Sequence, residues 1–122
     1  MSARPQTLRV LEGRFALQRV TDAAASAADP GLLALVLGPD GGAAMRRDDT
    51  AEDAWPALWN GDDAHDPDAT GMLSAIVAPL AAGEIPVWTA ASYDGDVVLV
   101  PAKRLDEAVD VLRRAGHRVN GA

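Results

Sequence analysis

Ile85-Pro86-Val87-Trp88-Thr89-Ala90-Ala91-Ser92-Tyr93-Asp94-Gly95-Asp96-Val97-Val98-Leu99-Val100-Pro101 is the stretch whose reading decides the fold. Two β-rich runs flank Tyr93-Asp94-Gly95-Asp96. Asp-Gly between such runs predicts a type I′ hairpin, because both central positions need φ > 0 and these two residues tolerate it. A two-residue loop also sets the register, with Tyr93 facing Asp96, Ala91 facing Val98 and Thr89 facing Val100. Val97 to Val100 does not alternate apolar with polar, so each face of the ribbon must be covered.

Upstream of the hairpin, Met72, Leu73, Ile76, Val77 and Leu80 form a helical stripe that starts at an N-cap, Thr70, and stops at Gly83. Pro79 lies inside this helix and should bend it or free the carbonyl of Ala75. Downstream, a second helix spans about 103–115 and buries Leu105, Ala108, Val109 and Leu112. Its Asp110 and Arg114 are spaced for an i,i+4 pair, and Gly116 leads to a short last strand at His117-Arg118-Val119. With Trp55 to Trp59 as the first strand, placing Pro56 at an edge or a strand start, the order is β-α-β-β-α-β, the ferredoxin-like topology.

The first half reads as a shorter version of the same pattern. Residues 1–6 form a loose tail, and Leu8 to Val20 is one bent strand or two short ones. Asp22 or Thr21 caps an Ala-rich helix, Leu32 to Leu37 is an apolar run suited to a buried strand, and Ala43 to Arg47 is a weaker strand. The fold class is therefore α+β: a ferredoxin-like C-terminal domain (51–122) preceded by a truncated βαββ half (1–50), with antiparallel sheets and helices on one face.

Composition excludes several functions. A formal charge of −7 on 122 residues, with eleven basic side chains dispersed among eighteen acids, argues against nucleic acid. No apolar run approaches the roughly 20 residues of a membrane helix, and the N-terminus lacks a signal-peptide core, so the protein reads as cytoplasmic. Cysteine is absent, which excludes disulfides and thiolate metal sites. His65 and His117 are too few for zinc. Asp62, Asp63, Asp66 and Asp68 do not reproduce an EF-hand frame, so neither metal nor cofactor is expected. Gly13-Arg14 lacks the glycine-rich loop and Asn partner that acylphosphatase chemistry on this fold requires, and no nucleophile stands beside a histidine in sequence. The chain reads as a non-enzyme.

Two segments resemble the ACT domain of the CASTOR and aspartokinase-like type. Asp66-Pro67-Asp68-Ala69-Thr70-Gly71-Met72-Leu73 is similar to the segment that opens the first helix of such domains, with Pro67 and Asp68 replacing the usual Phe and Ser. Ala91-Ser92-Tyr93-Asp94-Gly95-Asp96-Val97-Val98-Leu99-Val100 is similar to their hairpin, and Gly13-Arg14-Phe15-Ala16-Leu17 to their start. The resemblance implies tandem ACT-like units, regulatory binding of a small molecule such as an amino acid at an ACT–ACT interface, and a homodimer. It places the ligand against Asp68, Ala69, Thr70, Gly71, Met72, Tyr93 and Asp96. A helix N-terminus suits a ligand carboxylate physically, since its amides are free donors. The rival reading is an oligomerisation or partner-binding module that takes no small molecule.

Overall fold

The computed structural model describes residues 5–39, 41–63, 66 and 68–121. Most of the expected N-terminal tail, along with His65 and Pro67, lies outside them. The chain divides into two compact units, one formed by Glu12–Trp55 and the other by the flanking segments Met1–Leu11 and Pro56–Ala122.

In the larger unit the elements are β1 (Thr7–Val10), β5 (Ala57–Trp59), α2 (Met72–Ala82), β6 (Trp88–Ala91), β7 (Asp96–Leu99), α3 (Leu105–Arg114) and β8 (Arg118–Asn120). From β5 onward this is the expected βαββαβ order. The five-stranded sheet runs β6-β7-β5-β1-β8. Strand β1 is inserted between the first and last strands of the ferredoxin-like set, antiparallel to β5 and parallel to β8. The sequence reading grouped 1–50 together, yet the strand pairing sets Thr7–Val10 in this sheet. Leu8 explains the insertion: it is fully buried among Leu58, Ile76, Val98, Leu112 and Val119. Gln6, expected in the tail, is also buried.

The helices cover one face of this sheet. Ile76 and Leu80 of α2 and Ala108, Val109 and Leu112 of α3 meet Val98 and Val100 in the core, as the stripes predict. Val97 and Leu99, on the opposite face, are buried too. Pro56 falls just before β5, where its missing N–H removes no ladder bond. The Asp110–Arg114 pair forms at 2.8 Å.

Helix α2 stops at Gly83, as expected, but the left-handed turn falls one residue later. Gly83 keeps φ −85°, and the left-handed residue is Glu84 at φ 57°. Ile85 N–H donates to the Leu80 carbonyl and Glu84 N–H to that of Ala81, both at 3.0 Å, which is the Schellman arrangement. A left-handed backbone costs a non-glycine residue about 1–2 kcal/mol. Glu84→Gly should therefore raise stability by about 0.5–1 kcal/mol after the added chain entropy of glycine; urea denaturation measures it.

The smaller unit comprises β2 (Phe15–Val20), α1 (Ala23–Ala27), β3 (Leu32–Gly38) and β4 (Gly41–Arg47). Asp22 caps α1, accepting from Ala25 N–H at 3.1 Å. The sheet order β2-β4-β3 is that of a ferredoxin-like fold lacking its second helix and fourth strand. The apolar run from Leu32, expected to be buried, is instead an edge strand with no buried residue. Burial falls on the central strand at Ala44 and Met45 and on Phe15 and Ala16 of β2.

Surface arginines hold several carboxylates below their ordinary range, chiefly by hydrogen bonding: Arg46 acts on Asp29, Arg9 on Asp62 and Arg104 on Glu107. A carboxyl whose folded pKa is depressed contributes stability that is complete above its unfolded pKa and is lost as pH falls through the folded one. Thermal midpoints should thus be flat at neutral pH and fall once the pH drops below about 4, the ordinary carboxylate value.

Candidate functional site

A cleft of about 500 Å³ opens between the start of α2 and the β6–β7 hairpin. Gly71, Met72, Ser74 and Val77 line its helix side, Tyr93 and Asp96 its hairpin side, and Asp66 and Ala69 its loop side. Of the residues expected at a site, Ala69, Gly71, Met72, Tyr93 and Asp96 meet around this cleft. Asp68 and Thr70 are exposed and lie outside its lining.

Thr70 does not cap the helix. The cap position is Gly71, in the left-handed region at φ 79°, which offers no side-chain cap to the first-turn amides. The Ser74 hydroxyl turns back to the Gly71 carbonyl at 3.2 Å. A first turn without a side-chain cap leaves its N–H donors to solvent or to a ligand, and the helix dipole adds positive potential there. Across the cleft are two carboxylates, Asp66 and Asp96, and its lining contains no Lys or Arg among the described residues.

The hairpin turn is not type I′. Neither Asp94 nor Gly95 has positive φ, and the loop has four residues, with Ala91 opposite Asp96 and Thr89 opposite Val98. The register therefore slips by two residues, which leaves every side chain on its expected face but separates Tyr93 from Asp96. Ser92 closes the turn, its backbone N–H and its hydroxyl both reaching the Gly95 carbonyl at 2.8 Å. Gly95 is needed for a different reason: a Cβ there would stand 2.5 Å from Gly61 Cα and 2.9 Å from Asn60 Oδ1. The hairpin tip is thus pressed onto the backbone that begins the acidic loop. Gly95→Ala should destabilise by about 1–3 kcal/mol and displace Asp96; chemical denaturation, with the NMR shift of the Asp96 amide, reads both effects.

Behind the cleft lies a buried polar chain that the sequence reading missed. Gln6, Asn60 and His117 are the buried polar side chains among the described residues, and they form one network. Asn60 Oδ1 accepts from Asp96 N–H at 2.6 Å, and its Nδ2 donates to Gln6 Oε1 at 2.9 Å and reaches Asp96 Oδ2 at 3.4 Å. Gln6 Nε2 donates to the Met72 carbonyl at 2.7 Å, and Gln6 N–H to His117 Nδ1 at 3.0 Å. His117 Nε2 lies 2.8 Å from the Ala75 carbonyl. A backbone N–H can only donate, so Nδ1 accepts and Nε2 carries the hydrogen given to Ala75. That carbonyl is the one Pro79 frees, because proline has no N–H to return to it. No buried side-chain N or O atom among the described residues lacks a partner. The network ties Asp96 to the first turn of α2, the two walls of the cleft.

The acidic loop is partly committed elsewhere. Arg9 binds Asp62 through two bonds, at 2.8 and 3.1 Å, and among the described residues no three potential metal ligands cluster. Nor is any described helix long and apolar enough to cross a membrane.

A family model for the ACT domain matches residues 50–114, more than half of the chain. The chain belongs to the ACT domain family. Its fold is similar to a crystal structure of an Agobacterium tumefaciens protein, with a TM-score of 0.78 and 24% identity over 96% of this chain and 93% of that one. It is also similar to a Vibrio cholerae protein described as of unknown function and possibly in transport. There the TM-score is 0.74 and the identity 16%, over 89% and 88% of the two chains. At such identities the likeness speaks for the fold alone. No curated protein matches the sequence. Within the ACT unit, the cleft stands at the start of the first helix, and ACT domains serve regulatory roles by binding small molecules.

Proposed function

We propose that this ACT protein is a non-enzymatic sensor of the tandem CASTOR and aspartokinase-like type, working in the cytoplasm as a homodimer, and that its cleft takes an amino acid. One observation carries the reading: the start of α2, whose cap residue is a glycine, and two carboxylates line a single cleft that has no basic side chain among its described lining residues. A zwitterion matches both ends. Its carboxylate meets the Met72 to Ser74 amides, and its ammonium group meets Asp96 and Asp66. Asp96 is prepared for this role, since Asn60 holds its backbone and approaches only Oδ2. Tyr93, 78% exposed, closes over the ligand, and Ala69 and Gly71 give close backbone approach. Asp68 and Thr70 act from the rim of the same loop.

The test is a thermal-shift screen against the twenty amino acids. A ligand at a hundred times its dissociation constant adds about 2.7 kcal/mol, which for a chain of this size raises the midpoint by on the order of ten degrees. Asp96→Ala should weaken the hit by about 1.5–3 kcal/mol, the value of a hydrogen bond to a charged group. Undiminished binding in Asp96→Ala would remove the ligand from this cleft, and a flat screen would favour the partner-binding module.

A further inference from the structure

The chain has two asparagines, and each is followed by glycine, at Asn60-Gly61 and Asn120-Gly121. In such a pair the glycine N can close on the asparagine Cγ, because glycine sets no side chain in the way of the ring. The structure treats the two pairs differently. Asn60 is only 2% exposed and its Oδ1 and Nδ2 are both hydrogen-bonded. The Gly61 N lies against the hairpin tip, where a Cβ on Gly95 would come within 2.8 Å of it. Ring closure there requires both bonds of Asn60 to break inside the core. Asn120 is exposed at the end of the edge strand β8, and no partner holds its side chain among the described residues. Its backbone also leaves the nucleophile free. Arg118 N–H points inward and donates to the Gln6 carbonyl at 2.9 Å. Successive amides of a strand alternate in direction, so the Asn120 N–H also faces β1 and the Gly121 N–H turns to the open edge.

We propose that Asn120 is a site of spontaneous deamidation, and that the carboxylate formed there competes with Asp62 for Arg9. The Gly121 N attacks Asn120 Cγ, the bond from Cγ to the side-chain nitrogen breaks, and ammonia leaves with the Gly121 amide proton, so that a succinimide joins the two residues. Water then adds to one of the two ring carbonyls and opens the ring, giving aspartate or isoaspartate, whose main chain runs through the side-chain carbon. Either product carries a new negative charge, and its position decides what that charge meets. Trp59, Arg9 and Asn120 are register partners across β5, β1 and β8. Leu8, Leu58 and Val119 beside them face the helical core, so this row lies on the opposite face of the sheet, with Arg9 in the middle. The Arg9 guanidinium holds Asp62 through two bonds, at 2.8 and 3.1 Å, which ties the start of the acidic loop to the sheet. A carboxylate on the other side of Arg9 draws the guanidinium away from Asp62, and the extra main-chain carbon of isoaspartate also shifts the end of β8. The site is independent of whether the cleft binds an amino acid.

The experiment is peptide mapping by mass spectrometry of the full chain aged at mildly alkaline pH, both folded and in urea. It is joined to an NMR titration of the Asp62 carboxyl in the fresh chain, the aged chain and the Asn120→Asp variant, with circular dichroism as the folding check. Position 120 is exposed, so the fold tolerates the change. In the folded chain the expected result is aspartate and isoaspartate at position 120, with Asn60 converting about tenfold more slowly because two hydrogen bonds must break first. In urea the two positions convert at similar rates. The Asp62 carboxyl, held below its ordinary range chiefly by its hydrogen bond from Arg9, titrates at higher pH in the aged chain and in Asn120→Asp. An intact Asn120 in the aged folded chain, or loss of both amides at equal rates there, would overturn the site. An Asp62 titration that stays in place would overturn the competition for Arg9.

Discussion

Replacing Asn60 with leucine is expected to lower the unfolding free energy by about 2–5 kcal/mol, a large share of the 5–15 kcal/mol that holds a typical domain. Leucine matches asparagine closely enough in size to leave no large cavity, so the loss is electrostatic. Two groups are orphaned, the Asp96 N–H and Gln6 Oε1, each of which now bonds to Asn60. An unsatisfied buried polar group costs about 1–3 kcal/mol, and the low dielectric around a residue only 2% exposed keeps that cost high. Urea denaturation gives the number, and the Asp96 amide proton, now in a 2.6 Å bond, should lose its downfield NMR shift. A change below about 1 kcal/mol would mean that water replaces Asn60 and that the network does not hold the cleft walls. Asn60→Asp separates the roles. It retains an acceptor for Asp96 N–H but sets a second carboxylate beside Asp96 and removes the donor to Gln6, so it should perturb the cleft even where stability is partly retained.

The parts of this molecule that were legible in its sequence are those decided within a few residues. The α3 stripe, the Asp110–Arg114 spacing and the Asp22 cap depend on local geometry and appear as expected. So does the freeing of the Ala75 carbonyl by Pro79. The hairpin was read correctly in its faces but not in its turn, because Gly95 can be required for two reasons. A left-handed φ is a local property that Asp-Gly signals; close approach to Gly61 is a tertiary one that no dipeptide signals. The same limit hid the Schellman residue. Gly83 is the natural candidate by propensity, yet the core position of Ile85 places the left-handed residue one step later, at Glu84.

The remaining misses are long-range pairings. Nothing near Thr7–Val10 announces that it lies parallel to a strand that begins at Arg118, and nothing near Leu32–Gly38 announces an edge. An apolar run looks the same whether it lies in the middle of a sheet or along its edge. Of the site, the loop and hairpin residues followed from the family likeness, while the residues that hold them did not. Asn60, directly after β5, and Gln6, directly before β1, look like ordinary polar strand ends. Only the unpaired Ala75 carbonyl pointed inward, since a buried acceptor freed by proline requires a donor from elsewhere in the chain.

That donor supplies the second large effect. His117→Leu is expected to cost about 2–5 kcal/mol, because it removes both the donor to Ala75 and the acceptor of Gln6 N–H, at bonds of 2.8 and 3.0 Å inside the core. A double-mutant cycle with Pro79→Ala tests the cause. Alanine at 79 restores an N–H that bonds the Ala75 carbonyl within the helix, and by itself should stabilise, since proline in a helix interior is unfavourable by about 3 kcal/mol relative to alanine. In that background the Ala75 carbonyl no longer depends on His117. Loss of the histidine should then cost about 1–2 kcal/mol less than in the unmodified chain, leaving mainly the orphaned Gln6 N–H. Equal costs in the two backgrounds would show that Ala75 is not the point of coupling, and that His117 acts only through Gln6 and the seating of β1. A smaller cost would mean that Pro79 and His117 form one device: a break in the ladder of α2 and the side chain that fills it, joined through Gln6 and Asn60 to the carboxylate at the opposite wall of the cleft.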